Sequence, residues 1–315
     1  MKSYRFIDGA TQGYLVLVAT LVLVWHGTAV PGWGWWFGSH LVCLSLIHGL
    51  IHLNAARPAH RGLDFLRQFY PALLYPFFYR ETAALNQMFV SGYLDPMFQR
   101  LDERIFGFAP GLRFMAAFPS PALSELFYAA YFSYYLMILG VGLALFLRQR
   151  TAFQHYISVV SFVFYICYLV YIFLPVVGPR IYYPELAGFA LPPDAVPALV
   201  PPFPAAVQAG AFFRLMAVIY QNFEAPGAAF PSSHVAVALV TVYFSFRYLR
   251  PIRWAHLTVA LVLCAATVYC RYHYAVDVAA GGLAAALLLP AGNGLYSRFG
   301  GAAASAGAVA QTARS

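Results

Sequence analysis

Two histidines, two arginines and an aspartate stand where long apolar runs begin or end. His234 closes FPSSH (230–234), Arg271, His273 and Asp277 lie in CRYHYAVD (270–277), and Arg180 ends GPR (178–180). This set suits phosphoryl transfer. One histidine can attack phosphorus, a carboxylate can orient it, a second histidine can protonate the leaving group, and arginines can hold phosphate oxygens. His273 and Asp277 are four apart at a helix start, so they share a face. The carboxylate can then accept from Nδ1–H and leave Nε2 free to attack. Arg271 lies two residues earlier, at the helix junction.

Ser232 or Ser233 can cap the helix that follows Pro231, and the free N–H groups of such a start favour an anion. His234, in the first turn, can point at the same anion. Gly178 permits close backbone approach and Pro179 stiffens the turn before Arg180. Glu224 and Tyr182 are candidate headgroup contacts, with Glu185 and Tyr183 as weaker ones. Taken singly, each of these is an ordinary interface residue. Their joint placement carries the reading, because ionisable groups are costly in an apolar chain.

The elements that must position them are membrane helices. The chain is 62% hydrophobic and 10% charged, with a mean hydropathy of +0.68. A soluble domain carries about 25% charged residues. The 28 Phe, 23 Tyr and 5 Trp fit aromatic belts at a bilayer surface. The net charge of +8 reads as loop arginines facing anionic headgroups. No soluble basic domain is visible, so nucleic acid is excluded as a partner. The four cysteines form no C-x-x-C and read as packing residues. His48 and His52 have a metal-compatible spacing but no further ligands nearby, so packing is the expectation and no metal or cofactor is assigned.

Apolar segments of spanning length are 12–31, 34–53, 124–147, 153–177, 232–249, 254–270 and 275–290. The expected fold is all-α, a polytopic bundle of about seven transmembrane helices, six to eight in range. Lys2 and Arg5 precede the first segment, which reads as an anchor. The expected organisation is an N-terminal transmembrane hairpin (1–53), an interfacial amphipathic region (54–123), a catalytic transmembrane core (124–291) and a disordered tail (292–315). Pieces such as FYPALLYPFFY (69–79) look too short and proline-broken to span. The motifs meet water on one face, and the Arg148–Arg150 and Arg247–Arg253 turns lie on the other. Short arginine-rich turns favour the cytoplasm, which places the site on the periplasmic or extracytoplasmic face of the cell membrane. Seven spans would leave Lys2 and Arg5 on the site's own face, so either that rule is slightly violated or residues 54–123 contain a further crossing.

At these motifs the chain resembles the type-2 phosphatidic acid phosphatase superfamily. GPR with Arg180 stands for the family's Arg-Pro element, PSSH with His234 for Pro-Ser-Gly-His, and CRYHYAVD with Arg271, His273 and Asp277 for Ser-Arg…His-x-x-x-Asp. The resemblance covers roughly residues 120–290. It implies a six-helix core, a phosphohistidine at His273 and activity without metal. The chain departs from the pattern in three places. Phe173 stands where the family has lysine, Ser233 where glycine is usual, and one residue separates Arg271 from His273 where five are common. That compact spacing, with YFSYY (131–135) and LDERIFG (101–107), is similar to the inositol phosphorylceramide synthase branch. Two enzyme readings remain, lipid phosphate phosphatase and lipid headgroup transferase. A non-catalytic lipid-binding protein or transporter is the reading from another class. It would need the arginines but not the His273–Asp277 pair.

Overall fold

A computed structural model describes residues 4–182 and 203–299. Lys2, Tyr183, Glu185, residues 192–202 and the tail beyond residue 299 lie outside the described residues. The helices are α1 (Phe6–Trp25), α2 (Trp33–Ala56), α3 (Arg61–Leu85), α4 (Asp95–Phe106), α5 (Pro110–Ala117), α6 (Pro121–Arg148), α7 (Arg150–Phe173), α8 (Pro179–Tyr182), α9 (Ala205–Gln208), α10 (Ala211–Phe223), α11 (Ser233–Tyr248), α12 (Arg253–Tyr269) and α13 (Ala275–Phe299). No strand occurs among the described residues; a single parallel bridge joins Val176 to Ala228. The protein is an all-α polytopic bundle.

Six helical segments are long and apolar enough to cross a membrane: α1, α2, α6, α7, the 250–269 segment containing α12, and α13. Their outer faces expose large apolar side chains such as Leu139, Leu147 and Leu46, as lipid contact requires. The most buried of the six is α7. Its aromatic and β-branched residues Phe153, Tyr156, Val160, Val163 and Tyr171 form the centre of the core.

The largest departure from expectation is α3. It is one helix of 25 residues that passes through Pro71 and Pro76. It runs alongside α7 in the same direction. Asp64 lies 3.7 Å from Arg150, Phe69 packs on Phe153, the Tyr75 hydroxyl is 2.7 Å from Ser161 Oγ, and Tyr79 packs on Tyr168. Beyond its end, Phe89 stacks on Phe173. Over Arg61–Leu85 the expectation of short, proline-broken pieces is therefore corrected to one continuous helix. The prolines are tolerated because neighbouring helices and side chains compensate for the lost backbone bonds.

Low hydropathy hid α3, because it carries charge that is paired inside the bundle. Glu81 is fully buried and accepts from Tyr14 of α1 at 2.8 Å. His40 Nε2 of α2 lies 3.1 Å from its other oxygen. Arg67 pairs with Asp8 of α1, and Tyr70 donates to Asp8 at 2.6 Å. These polar contacts tie α1 and α2 to α3. Asp8 and Thr11 are buried with them, so α1 starts six residues ahead of the apolar segment that begins at residue 12.

The chain direction follows from these pairs. Phe6 packs on Phe162 and Trp25 on Phe89, so α1 runs parallel to α3 and α7. Arg5 therefore sits at the end opposite the motifs, beside Gln68. That placement keeps Arg5 off the site's own face. At the other terminus, α13 continues through Pro290 to Phe299. Residues 292–299, expected to belong to the tail, are helical, and Asn293 meets His155 at 2.7 Å.

Candidate active site

Three loops converge at one end of the bundle. The first is the turn after α7, where Gly178 has φ +83° and a Cβ there would lie 2.3 Å from the Tyr272 carbonyl oxygen. Only glycine fits both the dihedral and the space. That close approach lets Arg180 N–H donate to the Arg271 carbonyl at 2.7 Å. The two guanidinium groups come together over one ring, with Arg180 Cζ 5.2 Å and Arg271 Cζ 4.8 Å from the centre of Phe203. Arg180 Nη1 is buried without a hydrogen-bond acceptor among the described residues. Arg271 itself has φ 63°, a left-handed conformation unusual for a residue with a side chain. Its loop folds back on α12, where Thr267 O accepts from both Tyr272 and His273 N–H.

The second loop starts α11. Ser232 is its N-cap and its Oγ accepts from Val235 N–H at 3.4 Å. Ser233 N–H donates to the Tyr171 hydroxyl at 3.3 Å. A Cβ at Gly281 of α13 would stand 2.5 Å from Ser232 O. This small residue brings α11 and α13 together, and with them the two histidine motifs.

Ser232 Oγ lies 3.3 Å from His273 Nε2. His234 Nδ1 lies 3.5 Å from the same nitrogen. On the far side of the ring, His273 Nδ1 faces Asp277 Oδ2 at 3.5 Å, an ion-pair separation. The other contact of that oxygen is the Tyr274 N–H at 2.9 Å. His273 is thus a ring with a carboxylate behind Nδ1 and a hydroxyl and an imidazole in front of Nε2. Burial pushes it down to about 4, so it is neutral near pH 7 with a lone pair available for attack.

His234 is held by tyrosines. Its Nε2 lies 3.1 Å from the Tyr131 hydroxyl, which lies 2.7 Å from the Tyr220 hydroxyl of α10. The Tyr134 ring centre is 4.4 Å from the imidazole. Tyr272 stacks against both Tyr131 and Tyr220. Helix α10 thereby covers the site. It is fixed to α6 by Glu125, whose carboxylate accepts the Phe212 and Phe213 N–H groups at 3.0 and 3.3 Å.

A cavity of about 480 Å³ reaches Ser233 and His234 from between α3, α6, α7 and α10. Its wall is mainly aromatic and aliphatic, with Leu139 at the exposed side and Glu224 and Arg80 as its charged groups. Burial pushes the Glu224 carboxyl up to about 8, with Arg180 opposing. Tyr182 is instead packed in the second core cluster with Tyr128 and Val177. His48 and His52 lie beside Tyr4, far from this end, and no group of three or more metal-type side chains forms among the described residues.

The structure brings together His234, His273, Asp277, Arg180, Arg271, Ser232 and Ser233. Tyr131, Tyr134 and Tyr220 join them and were not identified as site residues from sequence, although Tyr131 and Tyr134 belong to YFSYY. Phe173 points away, toward Phe89, so nothing at that position reaches the site.

A family model described as the PAP2 superfamily matches residues 98–291. No curated protein and no solved structure matches the chain. The matched stretch spans all three motif loops and the helices that hold them, and on that match the chain belongs to the PAP2 superfamily.

Proposed function

We propose that the protein is an integral-membrane phosphoryl-transfer enzyme acting on a lipid phosphate, in the first instance a lipid phosphate phosphatase. The observation that carries this reading is the placement of His273 Nε2, facing Ser232 and His234 with Asp277 behind its ring. A non-catalytic lipid binder would not need that pair.

The chemistry follows from the geometry. His273 Nε2 forms a bond to phosphorus as the bond to the lipid oxygen breaks. Nδ1–H remains on the ring, and the resulting cation is stabilised by Asp277. With the phosphate dianion bound, His234 acts as the imidazolium, its Nε2–H donating to the Tyr131 hydroxyl and its Nδ1–H directed at the reacting atoms. That proton goes to the departing alkoxide. Water then attacks phosphorus and returns its proton to His234, releasing phosphate and free His273. Arg180, Arg271 and the Ser232-capped start of α11 hold the charge on the equatorial oxygens. The phosphate needs no metal in this scheme.

The apolar cavity fits hydrocarbon beside the phosphate. It also favours a second reading. A lipid hydroxyl held there, with Glu224 touching the headgroup, would resolve the phosphohistidine in place of water and make the enzyme a headgroup transferase, as in the inositol phosphorylceramide synthase-like branch. The arginines at the α2–α3, α6–α7 and α11–α12 turns, with Arg5, mark the opposite end as cytoplasmic. The site then opens on the extracytoplasmic face.

The test is purified protein against a panel of lipid phosphates, with free phosphate and new lipid scored separately. His273→Ala should cut turnover by about three orders of magnitude or more. A folded His273→Ala protein of near-normal rate removes the proposal.

A further inference from the structure

The transfer scheme leaves two buried carboxylates of α4 without a role. Asp95 and Asp102 lie two turns apart on one face of that helix and are both fully buried. Asp95 Oδ2 accepts from Val177 N–H at 2.9 Å. Its Oδ1 accepts from Gly178 N–H at 2.9 Å and from the Tyr274 hydroxyl at 3.0 Å. Asp102 accepts from Ala275 N–H and Val276 N–H at 2.9 Å each, one at each oxygen.

These contacts reach the two loops that must be set against each other. Val177 and Gly178 begin the turn that ends in Arg180. Tyr274, Ala275 and Val276 separate His273 from Asp277. A local cap would come from the residue next to the helix; here the capping carboxylate lies 173 residues away in sequence. With the first N–H groups of α13 held by Asp102, the Ser232-capped start of α11 is the helix end turned toward the histidines.

We propose that Asp95 and Asp102 form a carboxylate bracket that fixes the phosphate-holding turn at Arg180 relative to the His273–Asp277 pair. They are positioning residues and touch no reacting atom. The inference rests on the phosphoryl-transfer reading above. Its chemistry is specific to a carboxylate. Among the described residues each hydrogen bond to these four oxygens comes from an N–H or O–H donor, and an amide nitrogen placed there would face a donor.

Asp95→Asn and Asp102→Asn test it, with Glu103→Gln on the same helix as control and His273→Ala as reference. Asp95→Asn should raise KM and the inhibition constant of inorganic phosphate about tenfold, because it frees the arginine turn. Asp102→Asn should lower kcat about 10- to 100-fold with KM little changed, because it frees the helix that carries Asp277. Glu103→Gln should behave as the parent. A merely structural role would lower the thermal midpoint and leave kcat, KM and phosphate inhibition of the folded protein alone, and that outcome overturns the bracket. If an asparagine variant fails to fold, Asp95→Glu and Asp102→Glu decide. Folded and impaired in the same two senses supports the bracket; folded and within twofold of the parent overturns it. Failure of all four variants to give monodisperse protein reduces the pair to a folding role and likewise overturns it. Near-normal activity of His273→Ala would instead sink the underlying reading, so the two failures are distinct.

Discussion

Replacing Gly178 by alanine should separate the arginine turn from the histidine loop. The added Cβ would stand 2.3 Å from the Tyr272 carbonyl oxygen and 3.2 Å from its carbon. An ordinary carbon–oxygen contact is about 3.3 Å or more, so the two segments must part by about 1 Å. The φ of +83° adds about 1–2 kcal/mol of left-handed strain for a residue with a Cβ. The Arg180-to-Arg271 backbone bond at 2.7 Å and the Gly178-to-Asp95 bond at 2.9 Å lie in the path of that shift. Weakening each costs about 1 kcal/mol, giving roughly 3–4 kcal/mol in all. A misplacement of about 1 Å costs up to about 100-fold in rate, about 2.7 kcal/mol of transition-state binding. The assay is kcat/KM on a lipid phosphate, read beside thermal unfolding in the same detergent. Gly140→Ala serves as control, because a Cβ there meets nothing within 4 Å. A Gly178→Ala enzyme within threefold of the parent would refute the argument that this contact sets the site.

Other outcomes follow from the histidine environments. Between the unfolded value of about 6.5 and the folded value of about 4, the unfolded chain binds more protons at His273, so its contribution to stability falls as pH drops through that window. His273→Asn should remove this slope; parallel thermal-midpoint profiles for parent and variant from pH 4 to 7 would contradict the depressed value. Tyr131→Phe should lower kcat about tenfold by releasing His234 from its orientation, and an unchanged kcat would mean that the hydroxyl does not hold the ring. His234→Ala should lose less on a p-nitrophenyl phosphate ester than on an alkyl lipid phosphate, since a good leaving group needs little proton donation; equal losses would limit His234 to holding phosphate. For orientation, Gln149→Cys and Phe108→Cys, each in a background without the native cysteines, should respectively resist and accept an impermeant thiol reagent on intact cells. The reverse pattern would turn the site to the cytoplasm.

The sequence alone determined the class of the protein and singled out the residues proposed as its chemical centre. Long apolar runs identify α6, α7, α12 and α13 because burial in lipid demands continuous hydrophobicity. His234, His273, Asp277, Arg180 and Arg271 stand out against that background because ionisable groups are rare in it. Tertiary structure decided what depends on distant partners. Charged α3 is not among the helices apolar enough to cross a membrane, yet it runs beside α7, with its buried Arg67 and Glu81 paired by Asp8, His40 and Tyr14 on other helices. Tyr131 reads as one aromatic among many until the fold puts its hydroxyl 3.1 Å from His234, 103 residues away. Asp95 and Asp102 look like surface carboxylates until the loops of two motifs close on them. Hydrophobicity is a property of a segment and can be read along the chain; the satisfaction of a buried polar group is a property of a pair, and only the folded chain brings the pair together.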